Sequence, residues 1–277
     1  MLAFLQNDAP GMARQVAWSA GKSGVEDILL SLDANTNAYF GQLGKAREVS
    51  RRAVASAQRA GEKETAAHYE ADAALREALF GHTAAAGERA RAALTLSTDR
   101  DAQYGAALAM AFAFVTRKQV QQVENLANDL DNRLPEDTIV RFDYLPSIRA
   151  ELALSRNDPL KAIKVLQAAT PYELGSPGFG PFLVALYPVY VRGEAYLATH
   201  QGSKAAAEFQ KILNHRGVVA NGPIGALAHL GLARAYAMQG DTSKAKAAYQ
   251  DFLTLWKDAD PDIPILKQAK AEYAKLQ

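Results

Sequence analysis

The one route to catalysis that this sequence offers is a pair of glutamates. Glu151 and Glu194 each follow an arginine by two residues, Arg149 and Arg192, in stretches that otherwise repeat one another. Two carboxylates brought together can share acid and base work, and an arginine beside them can clamp a carboxylate on a ligand. Against catalysis, both glutamates stand at equivalent positions of successive repeats, which repetition alone explains. The arginines leave two readings side by side: rungs of an ion-pair ladder between repeats, or contacts to a ligand.

Other reactive residue types lack the spacing their chemistry needs. His68, His82, His200, His215 and His229 are scattered without metal-ligand spacing, and His82 and His200 fall at expected turns. Asp258, Asp260 and Asp262 imitate a calcium loop but lack its Gly and terminal Glu, so the run reads as a solvated connector. Arg47, Arg51, Arg52 and Arg59 form a stripe without interleaved aromatics, the mark of an exposed helix face. Trp18 and Trp256 read as packing residues near the two ends. There is no cysteine, which excludes thiolate chemistry and disulfides. No metal or cofactor is implied.

The elements that must position these residues are helices in repeating pairs. Residues 149–169, 192–213 and 232–253 each spell helix, polar turn, helix. Upstream, the same grammar pairs 25–40 with 44–59, 62–80 with 83–96, 99–115 with 118–134, and 139–156 with 160–169. Breaker-rich linkers fill 172–181 and 214–223, and 263–276 reads as a polar-sided cap. About six helix pairs thus form one array over 1–277, clearest from 135 onward, with 1–23 left as a stretch that could be poorly ordered. The expected fold is all-α, a right-handed superhelix of stacked pairs with a C-terminal capping helix.

Each clear unit repeats a small residue in its first helix (Ala150, Gly193, Ala233) and another in its second (Ala162, Ala205, Ala245). A large residue follows at Leu166, Phe209 and Tyr249. Small positions let two helices approach, and the large side chain fills the space left beside them.

Composition agrees with a soluble binding surface. The chain has 277 residues, 49% hydrophobic and 22% charged, with a net charge of +1, so it lacks the positive field of a nucleic-acid binder. The apolar stretches 104–115 and 181–191 fall short of the ~20 residues that span a bilayer and read as buried helices. The first residues do not spell a secretory signal. The cytoplasm is the expected compartment, for a free chain or for part of a membrane-anchored multidomain protein.

The pattern of small residue, x-x-Tyr, turn, Lys-Ala and aromatic, with Pro261 after the last unit, resembles the tetratricopeptide repeat family. Stretches such as PEDTIVRFDYLPSIRAELAL, GALAHLGLARAYA and AYQDFLTLWKDADPDIPILKQAKAEYAKLQ are similar to the C-terminal helical-repeat region of bacterial eukaryotic-like serine/threonine protein kinases, especially those of acidobacteria. The kinase motifs themselves are not spelled in the chain, and Gly178-Phe179-Gly180 lacks the metal-binding Asp. Similar regions also follow winged-helix regulators. The resemblance implies that first helices line a concave groove, placing Tyr144, Ser147, Glu151, Tyr187, Tyr190, Glu194, Leu227, Leu230, Arg234 and Met238 along it, with Arg149 and Arg192 where the family is usually apolar. It implies a non-catalytic scaffold that binds a peptide or partner domain in the groove. The alternative is the sensor region of a kinase or transcriptional regulator whose effector lies elsewhere. A homodimer through an end of the array is a further expectation.

Overall fold

The computed structural model describes residues 1–113, 117–175 and 186–276, and every regular element within them is helical. Two short helices, α1 (Leu2–Leu5) and α2 (Ala9–Ser19), precede the pair α3 (Glu26–Tyr39) and α4 (Leu43–Arg59). Then come α5 (Lys63–Phe80) with α6 (Thr83–Leu96), α7 (Arg100–Ala113) with α8 (Arg117–Arg133), and α9 (Leu145–Ser155) with α10 (Pro159–Leu166). The chain continues through α11 (Tyr187–Ala198) and α12 (Gly202–Asn214), a single turn α13 (Arg216–Val219), then α14 (Pro223–Met238) with α15 (Thr242–Leu255), and ends in α16 (Pro264–Ala274). The expected pairs therefore form, most bounds agreeing within a residue or two. Residues 114–116 and 176–185 lie outside the described residues, and with them the Gly178-Phe179-Gly180 stretch, part of the 172–181 linker and the first five residues of the expected 181–191 helix, whose remainder opens α11.

Local chemistry explains the ends. Asp158 and Asp241 cap α10 and α15 by accepting the backbone N–H of Lys161 and Lys244 at 3.1 and 3.0 Å. Ahead of α9 the chain makes a π turn over Val140–Tyr144, because Pro146 has no N–H for the carbonyl four residues back. Within the first 23 residues Phe4 is buried, its ring edge-on to Tyr39 at 5.0 Å. The 214–223 linker contains α13.

Helix composition sorts the elements into two layers. α7 and α14 carry small and apolar residues almost all round and are buried on most sides, whereas α4 and α12 bury one stripe and present lysines, arginines and glutamates to solvent. The interlock expected from small and large positions is present. Ala150, Ala162, Ala205, Ala233 and Ala245 are fully buried beside Leu166, Phe209 and Tyr249. Phe209 lies against Gly193 so closely that a Cβ there would stand 2.8 Å from its ring.

The inner helices run in a closed circuit. α5 packs on α7, α7 on α9, α9 on α11 and α11 on α14, and α14 returns to α3 and α5, while α16 also reaches α5. The two halves of the chain are fastened where they meet. The Trp256 indole N–H donates to the Tyr39 carbonyl at 3.0 Å, and its ring packs edge-on to Phe80 at 5.0 Å. Gly41, at φ +73°, admits that ring, because a Cβ there would lie 2.5 Å from Ala259 and 2.8 Å from Trp256. Asp260 is no free connector residue: it accepts the Gly44 N–H at 2.6 Å at the start of α4, and its own N–H donates to the Gly41 carbonyl at 3.0 Å. The consequence is a small surface. The chain exposes 12394 Å², close to the ~11,600 Å² that a compact monomer of this mass shows. Among the described residues no helix is long and apolar enough to cross a membrane.

Candidate functional site

Residues of the inner helices and of α16 line one open cavity of about 440 Å³. Leu79 of α5, Phe112 of α7 and Ile265 of α16 supply apolar wall, and Tyr190 of α11 adds an aromatic face. Three ionisable side chains enter it: Glu151 from α9, Glu194 from α11 and Arg234 from α14. These are first-helix positions one unit apart, so successive repeats deliver them to the same place.

Their electrical states differ. Arg234 is committed to Glu272 of α16 through two hydrogen bonds of 2.9 and 3.0 Å, and Tyr249 of α15 donates its hydroxyl to the same carboxylate at 2.9 Å. The charge of Arg234 also acts on Glu194, partly offsetting the burial that pushes Glu194 above the ordinary carboxylate range, while Glu272 adds to the rise. Glu151 has no such compensation. Burial, with the charge of Glu194 added, pushes it up to about 8, so near neutrality it holds a proton. Its Oε2 is shielded from solvent and has no hydrogen-bond partner.

The arginines two residues before these glutamates do not enter the cavity. Positions two apart lie about 200° round a helix, so Arg149 and Arg192 face the outer layer. Arg149 pairs with Asp131 of α8 at 2.6 Å, and Arg192, buried, pairs with Glu173 and Glu208 at 2.7 and 2.6 Å. Lys211 joins that cluster through Glu173 at 2.7 Å. Both arginines are thus held in ion pairs, Arg149 with the preceding unit, and their acids come from the outer helices and connecting loop rather than from Glu151 or Glu194.

Six of the residues expected along an open groove are covered. Tyr144, Ser147, Tyr187, Tyr190, Leu227 and Leu230 each expose 6% or less, because the circuit closes and packs inner faces against one another. The Tyr144 ring stacks on Tyr104 at 3.6 Å and its hydroxyl donates to Asp101 at 2.8 Å; Ser147 donates to the Asp143 carbonyl at 2.8 Å. Tyr187 lies beside the buried Arg76, which donates to Asn35 and Ser50. Tyr190 keeps one face on the cavity, and Met238 is exposed one turn beyond Arg234.

Among the other candidates, His68 pairs with Asp99 at 2.7 Å, and no described group of three His, Asp or Glu side chains could hold a metal ion. Arg47 makes a two-bonded pair with Glu77 rather than lying free. Trp18 is 59% exposed under the Lys22 ammonium at 3.2 Å, contrary to its reading as a packing residue. Sequence reasoning missed Glu272 and Ile265, which reach the site because α16 is carried back to α5, and Leu79 and Phe112, which the packing of α5 on α7 and of α7 on α9 brings there. The chain matches no protein-family model and no curated protein, so its role has to be read from this geometry.

Proposed function

We propose that this chain is a non-catalytic sensor module: a right-handed superhelix of tetratricopeptide-like helix pairs, capped by α16 and wound tightly enough that its ends meet, which responds to a small ligand at its centre. One observation carries the reading. The inner faces of five helix pairs are packed against each other except at a cavity of about 440 Å³ with ionisable groups on an apolar wall, a size and lining suited to a small molecule. A peptide laid along the same face would have to displace Tyr187, Leu227 and Leu230 from the core. A ligand that touches α5, α7, α9, α11, α14 and α16 at once would stiffen the whole circuit and pass that change to an attached effector domain such as a kinase or transcriptional regulator.

The test is a thermal-shift screen of small metabolites against the wild type and Ala198→Phe, chosen to fill the cavity from its exposed rim at the end of α11. A ligand should raise the melting temperature of the wild type and not of the filled variant. Equal shifts in both proteins for every hit would defeat the reading. A protein partner is a second reading, favoured by the exposed Leu2 and Trp18 at the amino-terminal end beside an apolar cleft of about 410 Å³.

A further inference from the structure

We propose that the central cavity binds a small organic ammonium ion with an apolar body, its nitrogen held by the carboxylates of Glu151 and Glu194 and its body resting on Leu79, Phe112 and Tyr190. This inference rests on the reading of the cavity as a ligand site and adds the class of ligand.

Charge is the first argument. Among the described residues Arg234 is the one cation that lines the cavity, and Glu272 already holds it by two hydrogen bonds. Glu194, and Glu151 once it gives up its proton, are then carboxylates without a hydrogen-bonded cation of their own, so the cavity favours a cation over an anion. Hydrogen bonding is the second. Glu151 Oε2 is shielded and unpartnered, so a donor from a ligand would fill a place that no described side chain fills. An ammonium group has three donors to spend and no acceptor. Stereochemistry is the third. Hard divalent ions need six or more oxygens, and no described cluster of acids and histidines supplies them. Aromatic faces at Tyr190 and Phe112 suit an organic cation, through attraction to the ring and burial of its carbon body.

Binding should be linked to protons. From α11 Glu151 faces Glu194 and Tyr190, and from α14 it faces Arg234, itself held by Glu272 of α16; the lining residues of α5, α7 and α16, namely Ala78, Leu79, Ala111, Phe112 and Ile265, do not titrate. On the far side of α9, Arg149 and Arg156 are held by Asp131 and Glu124 of α8. Glu151 carries a proton near neutrality, and an ammonium ion that binds its carboxylate must expel it. Affinity should therefore rise with pH by roughly 25-fold between about pH 6.5 and about pH 8.5, where alkylammonium ions are still charged.

The experiment is calorimetric titration of the intact chain with phenethylamine, cyclohexylmethylamine and pentylamine, beside 2-phenylethanol and phenylacetate as partners without the ammonium. The expected result is binding of at least one amine, with proton release at pH 6.5, a weakening of about tenfold or more in Glu151→Gln, and no change in Glu124→Gln. Melting of Glu151→Gln at or above the wild-type temperature shows that the loss is not unfolding. Amines that bind no better than 2-phenylethanol, or equally well to Glu151→Gln, overturn the proposal. If the alcohol or another small molecule then binds the wild type and not Ala198→Phe, the cavity remains a ligand site and only the ammonium assignment falls. If filling the cavity alters no binding at all, both fall together.

Discussion

Replacing Gly231 with alanine should weaken this protein although alanine is the better helix former. Gly231 lies on α14 against the ring of Phe209 from α12, and a Cβ there would stand 2.5 Å from Cε1 and Cζ and 2.6 Å from Cδ1. Carbon atoms prefer about 3.5 to 4.0 Å, so the ring would have to retreat by about 1 Å. It has nowhere to go. On its other side the Cβ direction of Gly193 on α11 is already 2.8 Å from Cζ, and Phe209 has no exposure. Overpacking of this kind costs about 1 to 3 kcal/mol, and the gain in helix propensity returns about 1. The net loss is up to about 2 kcal/mol. With an unfolding entropy of ~2.1 cal/mol/K per residue over 277 residues, that lowers the melting temperature by up to about 3 °C. Gly217→Ala is the control, since no atom lies within 4 Å of the added carbon. Melts followed by circular dichroism should rank Gly217→Ala at or above the wild type and Gly231→Ala below it. Phe209→Leu, which removes the crowding ring atoms, should make the double variant cost less than the sum of its parts. Gly231→Ala melting with Gly217→Ala, or strict additivity with Phe209→Leu, would refute the interlock.

Three further outcomes follow from the cavity, the fastening and the buried ion cluster. Glu151 is raised in the folded protein, so its contribution to stability is full below about pH 4.5 and is lost as pH climbs toward about 8; Glu151→Gln should flatten the fall in melting temperature across that window and melt above the wild type at about pH 8.5. Trp256→Ala empties the junction between Phe80 and Gly41 and should cost about 3 to 5 kcal/mol, seen in denaturant titration, with a larger radius by small-angle scattering. Arg192→Met leaves the buried Glu173 to Lys211 alone and should cost less, by denaturant titration, than the about 3 to 5 kcal/mol of a wholly unpaired buried charge but more than Arg149→Met, which at a half-exposed pair with Asp131 should cost less than about 1.

What could be read from the sequence divides by distance along the chain. The fit of Phe209 to Gly193 was legible because both lie in one helix pair, and the same holds for Leu166 with Ala150 and Ala162. Gly231, on the far side of the same ring, was not singled out, since it belongs to the next unit. Nor was the meeting of Trp256 with Tyr39, or of Asp260 with Gly44, since more than 200 residues separate the partners and no periodicity reports such a contact. That junction is why Tyr187, Leu227 and Leu230, expected on an open face, are core. The cavity was half legible. Glu151, Glu194 and Arg234 stood out by their register, but Glu272 looked like the wet side of a cap until α16 was placed beside α14.

The junction at Trp256 also changes how the molecule should come apart. An open array frays from its ends inward, one unit after another, since each end lacks a neighbour. Here α3 and α4 are held by residues just past α15, so loosening either extremity costs contacts belonging to the other. Hydrogen exchange should therefore find terminal units protected nearly as well as central ones, and unfolding should be a single event across the chain. Joining segments more than 200 residues apart also raises contact order, so folding should be slow for a helical protein, with closure of the circuit among its last steps.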